Sequence, residues 1–241
     1  MNLAAFFDRN KKVALQFSAG KDSAACLWML QPFWDQLTVV WCNMGNPYQE
    51  TVEYMEKVAA LVPRFEIVRG NQPEWIVENG YPADIVPARL EGLGSIASGE
   101  IVKVAPFWKC CQANAWEPLQ KWVKQGHYDG IIRGQKDSDT MKAPLQSGDV
   151  VDGVEYCFPL EGVSDLEVVR YLGEKLPASY LRGLETSLDC LNCTAYASDN
   201  VARVQELRRT NPSVYQEIRI VHEAVRKELQ SNLKILGEIY G

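Results

Sequence analysis

Along this chain, short apolar runs alternate with stretches of helical period. Residues 13–17, 37–43, 65–69 and 129–133 are short and rich in Val, Ile and Leu. Runs of this kind suit strands buried on both faces. Between them, residues 22–30, 49–61 and 113–124 repeat apolar side chains at helical spacing. Such alternation predicts βαβ units and a parallel sheet. Ligands of such sheets bind beyond the carboxyl ends of the strands, often at a helix N-terminus.

Two regions depart from the alternation. Residues 71–109 contain Pro73, Pro82, Pro87 and Pro106 together with Gly80, Gly92, Gly94 and Gly99. A stretch this long is no idle connection, so a lid or partly helical insertion over the site is expected. After Ser164 the pattern turns helical. Residues 212–240 read as one long helix with Ile218, Val221, Val225, Leu229 and Leu233 on one face, covering core or a partner subunit. The expected fold is α/β, a three-layer, doubly wound, mostly parallel sheet with a helical C-terminal region. The expected division is a nucleotide-binding α/β domain over 1–175, insertion included, and a helical region over 176–241.

Composition narrows the function classes. The chain has 241 residues, 46% hydrophobic and 23% charged, with a formal net charge of −6. An acidic chain is not built as a broad polyanion binder, so any nucleic-acid contact should be local. No apolar run reaches the length of a membrane span. Asp8, Lys11 and Lys12 precede the first apolar run and no small-residue cleavage site follows, which makes a poor signal peptide. The expectation is a cytoplasmic protein. There, seven cysteines serve metal binding or catalysis where they cluster, rather than a disulfide framework. Cys110-Cys111 and Cys190-x-x-Cys193 cluster; Cys26, Cys42 and Cys157 lie in apolar patterns and read as small core residues. His127 and His222 are isolated and read as neither ligands nor catalysts.

The richest chemistry lies after the first run, in Ser18-Ala19-Gly20-Lys21-Asp22-Ser23. A turn between strand and helix places backbone N–H groups and the positive end of the helix dipole at one point. Gly20 admits an anion close to the backbone, Lys21 adds charge, and Ser18 and Ser23 add hydroxyl donors. This is no Walker A loop, since Leu15 stands where that motif needs glycine. Gly92-Leu93-Gly94-Ser95-Ile96-Ala97 matches a dinucleotide fingerprint only in letters, because 87–91 is no strand.

The hexapeptide resembles the PP-loop, Ser-Gly-Gly-Lys-Asp-Ser, of the ATP pyrophosphatase superfamily, with Ala19 in place of the first glycine. Further stretches resemble the phosphoadenosine and adenylyl sulfate reductases, and within them the iron–sulfur branch. "WCNMGNPYQET" (41–51) resembles their turn after the second strand, keeping Gly45, Glu50 and Thr51 and placing Asn43 at the aspartate. "IIRGQKDSDTMK" (131–142) resembles their second substrate loop, with Arg133, Gly134, Lys136 and Lys142. "CFPLEGVSDLEVVRYL" (157–172) resembles a family helix start, where Ser164 is an N-cap with Glu167 at the capping-box position. Cys110-Cys111, then Pro118-Leu119, then Cys190-x-x-Cys193 resemble the ligands of the iron–sulfur members; Gln112-Ala113-Asn114 stand where those members are basic.

The resemblance implies an adenine nucleotide alpha hydrolase-like fold. It implies that Ser18, Ala19, Gly20, Lys21, Asp22, Ser23, Asn43, Gly45, Arg133, Gly134, Lys136 and Lys142 hold ATP or adenylyl sulfate, with Lys21 and Asp22 catalytic and Mg²⁺ bound. It implies a 4Fe-4S cluster on Cys110, Cys111, Cys190 and Cys193. Four thiolates also suit zinc, or remain unligated; an adjacent cysteine pair is awkward on one small ion and easier on separated irons. Sulfonucleotide reductases attack sulfur with a cysteine on a C-terminal tail, and the last cysteine here is Cys193. The leading expectation is therefore cleavage of ATP to AMP and pyrophosphate, adenylylating an acceptor for sulfur transfer. A DNA backbone is one such acceptor by resemblance, and a cysteine desulfurase or thioredoxin-like protein the sulfur donor. A reductase releasing sulfite and a nucleotide-binding subunit without turnover stand as alternatives. A homo-oligomer is compatible with all three.

Overall fold

All four apolar runs become strands of one sheet. A computed structural model of the chain describes residues 2–139 and 142–240; Thr140 and Met141 of the second-loop motif fall outside them. The strands are β1 (Val13–Gln16), β2 (Leu37–Asn43), β3 (Phe65–Arg69), β4 (Tyr81–Ala83), β5 (Val104–Pro106), β6 (Gly130–Ile132), β7 (Val150–Val151) and β8 (Val154–Cys157). The helices are α1 (Leu3–Arg9), α2 (Lys21–Met29), α3 (Gln49–Leu61), α4 (Gln72–Asn79), α5 (Gly92–Ser98), α6 (Phe107–Cys111), α7 (Glu117–Gly126), α8 (Asp165–Leu172), α9 (Ala178–Leu181), α10 (Val201–Thr210) and α11 (Pro212–Tyr240).

The chain divides into two compact units. The first takes residues up to Asn43, Pro47–Gly70 and Glu117–Asp189. Its sheet has the order β3-β2-β1-β6-β8-β7, parallel except for β7. Val13 pairs with Leu37 on one side and Gly130 on the other. Period-two alternation sends odd and even residues to opposite faces. Val13, Leu15, Val39, Trp41 and Ile132 meet Phe6, Leu27, Met55, Val168 and Leu172 of α1, α2, α3 and α8. Ala14, Val40, Val68 and Ile131 meet Leu119, Trp122 and Val123 of α7. Helices thus cover both faces, which makes the expected three layers. The order turns between β1 and β6, and that reversal opens a crevice at the carboxyl ends of these two strands.

The second unit takes Met44–Asn46, Asn71–Trp116 and the chain from Cys190 onward. Its core is Ala83, Leu90, Val104 and Val221, flanked by Tyr81, Val102, Ala224 and Val225. β4 and β5 form a two-stranded parallel sheet with Pro82 opposite Ala105. The insertion therefore holds strands as well as helices, where sequence reading expected none. Each strand is three residues long and contains a proline, so neither shows as a strand until it is paired.

Two further elements differ from expectation. The helix expected over 113–124 is instead a π-helical turn, Gln112–Trp116, leading into α7. Pro118 has no N–H for the α-helical bond to Asn114, so the ladder is interrupted there. β7 and β8 form an edge hairpin whose turn residues Asp152 and Gly153 both have positive φ, the geometry that suits an Asp-Gly dipeptide. By contrast α11 covers the expected residues, and Ser164 and Glu167 close the expected capping box on α8. No described helix is long and apolar enough to cross a membrane.

Candidate functional site

β1 ends in a turn that leads directly into α2. Phe17 still donates to the Val40 carbonyl (2.9 Å), and the chain then breaks away from the sheet. Ser18 N–H donates to Ser23 Oγ (3.2 Å), and Ser23 Oγ–H donates to the Gly20 carbonyl (3.0 Å). Gly20 caps α2 without any side-chain bond. The amides of the first turn therefore have no partner within the helix, which suits an anion. A Cβ on Gly20 would come to 3.3–3.4 Å from Ser18 Oγ, Ser187 Cβ and Tyr180 Oη. Those three groups line the side of the turn on which glycine leaves room.

Ala19 has φ of +62°, the left-handed region that favours glycine, so the alanine departs from the family hexapeptide at a strained position. Three effects of similar size oppose one another there. The left-handed conformation costs a non-glycine residue about 1–2 kcal/mol. Glycine would lose about 0.5–1 kcal/mol more backbone entropy. It would also forfeit roughly 0.8 kcal/mol of methyl burial, because Ala19 is packed in the core. Ala19→Gly is therefore expected to leave stability in urea within about 1 kcal/mol of wild type; a loss beyond twice that would show that packing governs the position.

Around the turn stands a network of five charges. Lys21 Nζ lies 2.8 Å from Asp22 Oδ2 and 2.7 Å from Asp165 Oδ1. Lys136 Nζ donates to Asp22 Oδ1 (2.8 Å) and to Asp165 Oδ1. Asp139 accepts the Lys136 N–H (2.9 Å), which sets the loop, and its Oδ1 lies 3.8 Å from Lys136 Nζ. Hydrogen bonds from Lys136 and then Lys21 pull the Asp165 carboxyl down to about 2. Burial lowers the Lys136 ammonium, but its bonds to Asp165 and Asp22 outweigh that and leave it raised.

The loop leaving β6 presses against this turn. A Cβ on Gly134 would lie 2.6 Å from the Asp22 carbonyl carbon and 2.8 Å from Ser23 N, so only glycine lets the backbones approach this closely. Arg133 lies over the Tyr156 ring (5.7 Å), and burial lowers its guanidinium. Its Nε is buried and has no hydrogen-bond partner among the described residues. Ser187 donates to Asp189 (2.6 Å), whose carboxyl burial pushes up to about 6. Tyr180, pushed up to about 12 by burial, has its hydroxyl near the Lys21 amide.

The structure brings Ser18, Ala19, Gly20, Lys21, Asp22, Ser23, Arg133, Gly134 and Lys136 into one neighbourhood. Asn43 ends β2 in the same unit, where its carbonyl accepts from Gly70 (2.8 Å). Gly45 belongs to the second unit, with φ of +107° against Asn71 and Pro73. Lys142 is exposed and turned to the Asp137 carbonyl (2.9 Å), outside the five-charge network. Asp139, Asp165, Tyr180, Ser187 and Asp189 were missed. They are common residue types far along the chain, and no local motif marks them.

The second unit holds the cysteines. Cys110 and Cys111 close α6 at the π-helical turn, and Cys190 and Cys193 lie on the loop before α10. Cys110 is buried, which pushes its thiol up to about 12, with Cys111 and Cys193 near enough to add to the shift. Asn114 Nδ2 donates to the Cys110 carbonyl (3.0 Å), and Asn114 Oδ1 accepts from the Asn71 amide (2.9 Å). Cys190 Sγ lies 3.4 Å from Met44 Sδ. Tyr196 Oη lies 3.6 Å from Cys111 Sγ, and its backbone, at φ of +55°, donates to Asp84 (2.8 Å). The cysteine loop is braced throughout. Buried Arg203 donates to the Cys193 carbonyl (2.7 Å) and Asn200 to the Ala195 carbonyl (2.8 Å). His222 is not isolated: its Nε2–H donates to the Thr194 carbonyl (2.9 Å).

Among the described residues, no group of three or more His, Cys, Asp or Glu side chains stands in position to hold one metal ion. The four-thiolate centre is thus not drawn to a single point. Cys110, Cys111 and Cys193 are near neighbours all the same, and Cys190 is on the loop of Cys193. Cysteine thiolates are ligands of both iron–sulfur clusters and zinc.

The sequence profile of the phosphoadenosine phosphosulfate reductase domain matches residues 12–196. The chain belongs to this family. No curated protein sequence matches it. Among solved structures, it is similar to the phosphoadenylyl-sulfate (PAPS) reductase from Candida auris, a phosphate complex. That likeness has a TM-score of 0.55 and 15% identity over 78% of this chain and 85% of the other. Weaker likenesses are to the U34-tRNA thiolase NcsA from Methanococcus maripaludis with its 4Fe-4S cluster and to the NH3-dependent NAD synthetase from Campylobacter jejuni. The first has a TM-score of 0.40 and 16% identity over 89% of this chain and 72% of that one. The second has a TM-score of 0.44 and 11% identity over 95% and 96%. In this member of the reductase-domain family, residues 18–23 lie on the expected strand–turn–helix, with a five-charge network built around them.

Proposed function

We propose that this chain is an adenine-nucleotide enzyme that cleaves ATP between its α and β phosphates and adenylylates an acceptor for sulfur transfer. The observation that carries the reading is the convergence of Lys21, Lys136 and the first-turn amides of α2 at the carboxyl ends of β1 and β6. An oxygen of the acceptor forms a bond to the α-phosphorus. The bond to the β-phosphate oxygen breaks, and pyrophosphate leaves into the turn, where amides and ammonium groups stabilise its developing charge. The acceptor's proton passes to solvent. Arg133, with an unpartnered Nε, is suited to a further phosphate oxygen. Mg²⁺, held on Asp22, would neutralise the phosphate chain. A phosphate-bound structure of a Candida auris PAPS reductase accords with an anion in a related fold.

Incubation with ATP and Mg²⁺ tests this: AMP and pyrophosphate are the expected products, and ADP with orthophosphate would overturn it. The family match also favours a second reading, reduction of adenylyl sulfate or its 3′-phosphorylated form. Sulfite release with thioredoxin or glutathione would support that reading instead. Nucleotide binding without any product would leave a non-catalytic subunit.

We also propose that Cys110, Cys111, Cys190 and Cys193 hold a 4Fe-4S cluster, which supplies electron transfer or sulfur when bound. Asn114 and Arg203 position the two cysteine pairs. Anaerobically purified protein is expected to contain about four iron and four sulfide per chain and to absorb in the visible, and Cys110→Ser should reduce both contents. Zinc in place of iron would reject the cluster. A DNA backbone as acceptor, and a cysteine desulfurase or thioredoxin-like protein as sulfur donor, belong to the same proposal.

A further inference from the structure

We infer that Asp165 is a resident counter-ion of the anion site, its carboxylate holding the place between Lys21 and Lys136 that a phosphate group takes on binding. The inference rests on the reading of the β1–α2 turn as a phosphate-chain site. Two ammonium groups and three carboxylates make up the network, Asp139 lying 3.8 Å from Lys136 Nζ, and with the Arg133 guanidinium of the same loop the formal charge sums to zero. An incoming polyphosphate meets net attraction only after one carboxylate leaves.

Burial decides which one leaves. The Lys136 side chain is 3% exposed, and a buried ammonium cannot lose every partner without a large desolvation cost. Asp22 is 24% exposed, lies next to Lys21 in the chain, and binds both lysines at 2.8 Å. It remains as the fixed partner. Asp165 is 67% exposed and binds the same two ammonium groups through a single oxygen, Oδ1. A side chain this exposed re-enters water at little cost. Its backbone need not move, because Ser164 and Glu167 cap α8 at that point. Once Asp165 swings away, Lys21, Lys136 and Arg133 carry one positive charge more than Asp22 and Asp139 together, and the unpartnered Nε of Arg133 lies in the same loop. Exchange of this kind keeps the buried lysine charge-paired both with and without ligand.

A magnesium ligand at Asp165 would give the opposite sign. The test is therefore titration with inorganic pyrophosphate in EDTA at low salt, on the full chain. Asp165→Asn should bind about three- to tenfold tighter than wild type, the scale of an exposed to partly buried ion pair. Asp165→Ser, a residue that also suits a first helical turn, should tighten likewise. Glu174→Gln, the same charge change at an exposed residue of the same unit, should leave affinity within twofold. Equal or weaker binding by both Asp165 variants overturns the inference. Lys21→Ala separates the two readings. If it weakens binding while the Asp165 variants do not tighten it, the turn is a phosphate site and the counter-ion role falls. If Lys21→Ala leaves pyrophosphate binding unchanged, the phosphate-site reading falls, and the counter-ion role with it.

Discussion

Lys21→Ala is expected to lower the rate of AMP and pyrophosphate formation by about 10²–10³-fold, the scale for removing one preorganised donor from a developing anion. Lys21 opens α2, so its ammonium stands where the helix dipole already favours negative charge. The same side chain lies 6.0 Å from the centre of the Tyr180 ring and between Asp22 and Asp165. Its loss removes a full positive charge from beside the leaving group and leaves those carboxylates to Lys136 alone. Stability should fall only modestly, because Asp22 keeps a lysine partner at 2.8 Å and no charge is orphaned. Lys21→Arg should recover only a fraction, since a planar fork does not replace a compact ammonium in a tight turn. Steady-state assays of AMP, run beside thermal melts, check both halves. A rate within threefold of wild type would remove Lys21 from the chemistry.

Gly134→Ala should damage both fold and binding. The added methyl would meet the carbonyl carbon of Asp22 at 2.6 Å, its oxygen at 2.8 Å and Ser23 N at 2.8 Å. All three are backbone atoms, so no flexible side chain can give way. Either the loop leaving β6 or the start of α2 must shift, an overpacking cost of about 1–3 kcal/mol. For a chain of this size that corresponds to a melting point lowered by roughly 2–10 °C. The shift would also stretch the Lys136–Asp22 pair and carry Arg133 with it, so pyrophosphate affinity should drop about tenfold or more, the scale of one charge-assisted hydrogen bond lost. Unchanged melting and unchanged affinity would show that the loop has slack which the 2.6 Å contact denies.

The legible parts of this protein share a property: their cause is local. Residues 37–43, 49–61 and 65–69 adopt the elements read from their patterns, because a buried strand and an amphipathic helix each announce their period within a few residues. The capping box of Ser164 and Glu167 spans three residues and formed as read. One local signal was overlooked, since Asp152-Gly153 between Val151 and Val154 marks the β7–β8 hairpin. The strands β4 and β5 had no such signal. Pro82 and Pro106 argue against strands, and only mutual pairing makes them so.

For the site, the turn proposed to hold phosphate was readable as a strand–turn–helix, since strand, glycine, lysine and helix follow one another within a few residues. Its partners were not. Asp165 lies over 140 residues from Lys21 by number, as the two positions show, and its carboxylate carries meaning only beside two ammonium groups. The brace of the cysteine loop is of the same kind, for Arg203 and His222 look ordinary in sequence and act through carbonyls that only the fold brings to them.

By itself the sequence determined the parallel α/β sheet and the glycine-lysine turn at the exit of β1, because each depends on residue type and short spacing. Only the tertiary structure decided that residues 71–116 join the chain beyond Cys190 in one unit, that Ala19 is strained, and that the lysines of the turn are already paired with Asp22, Asp139 and Asp165. Those outcomes depend on distances between residues remote in the chain, and on burial, which sets the strength of every charge and which no local pattern records.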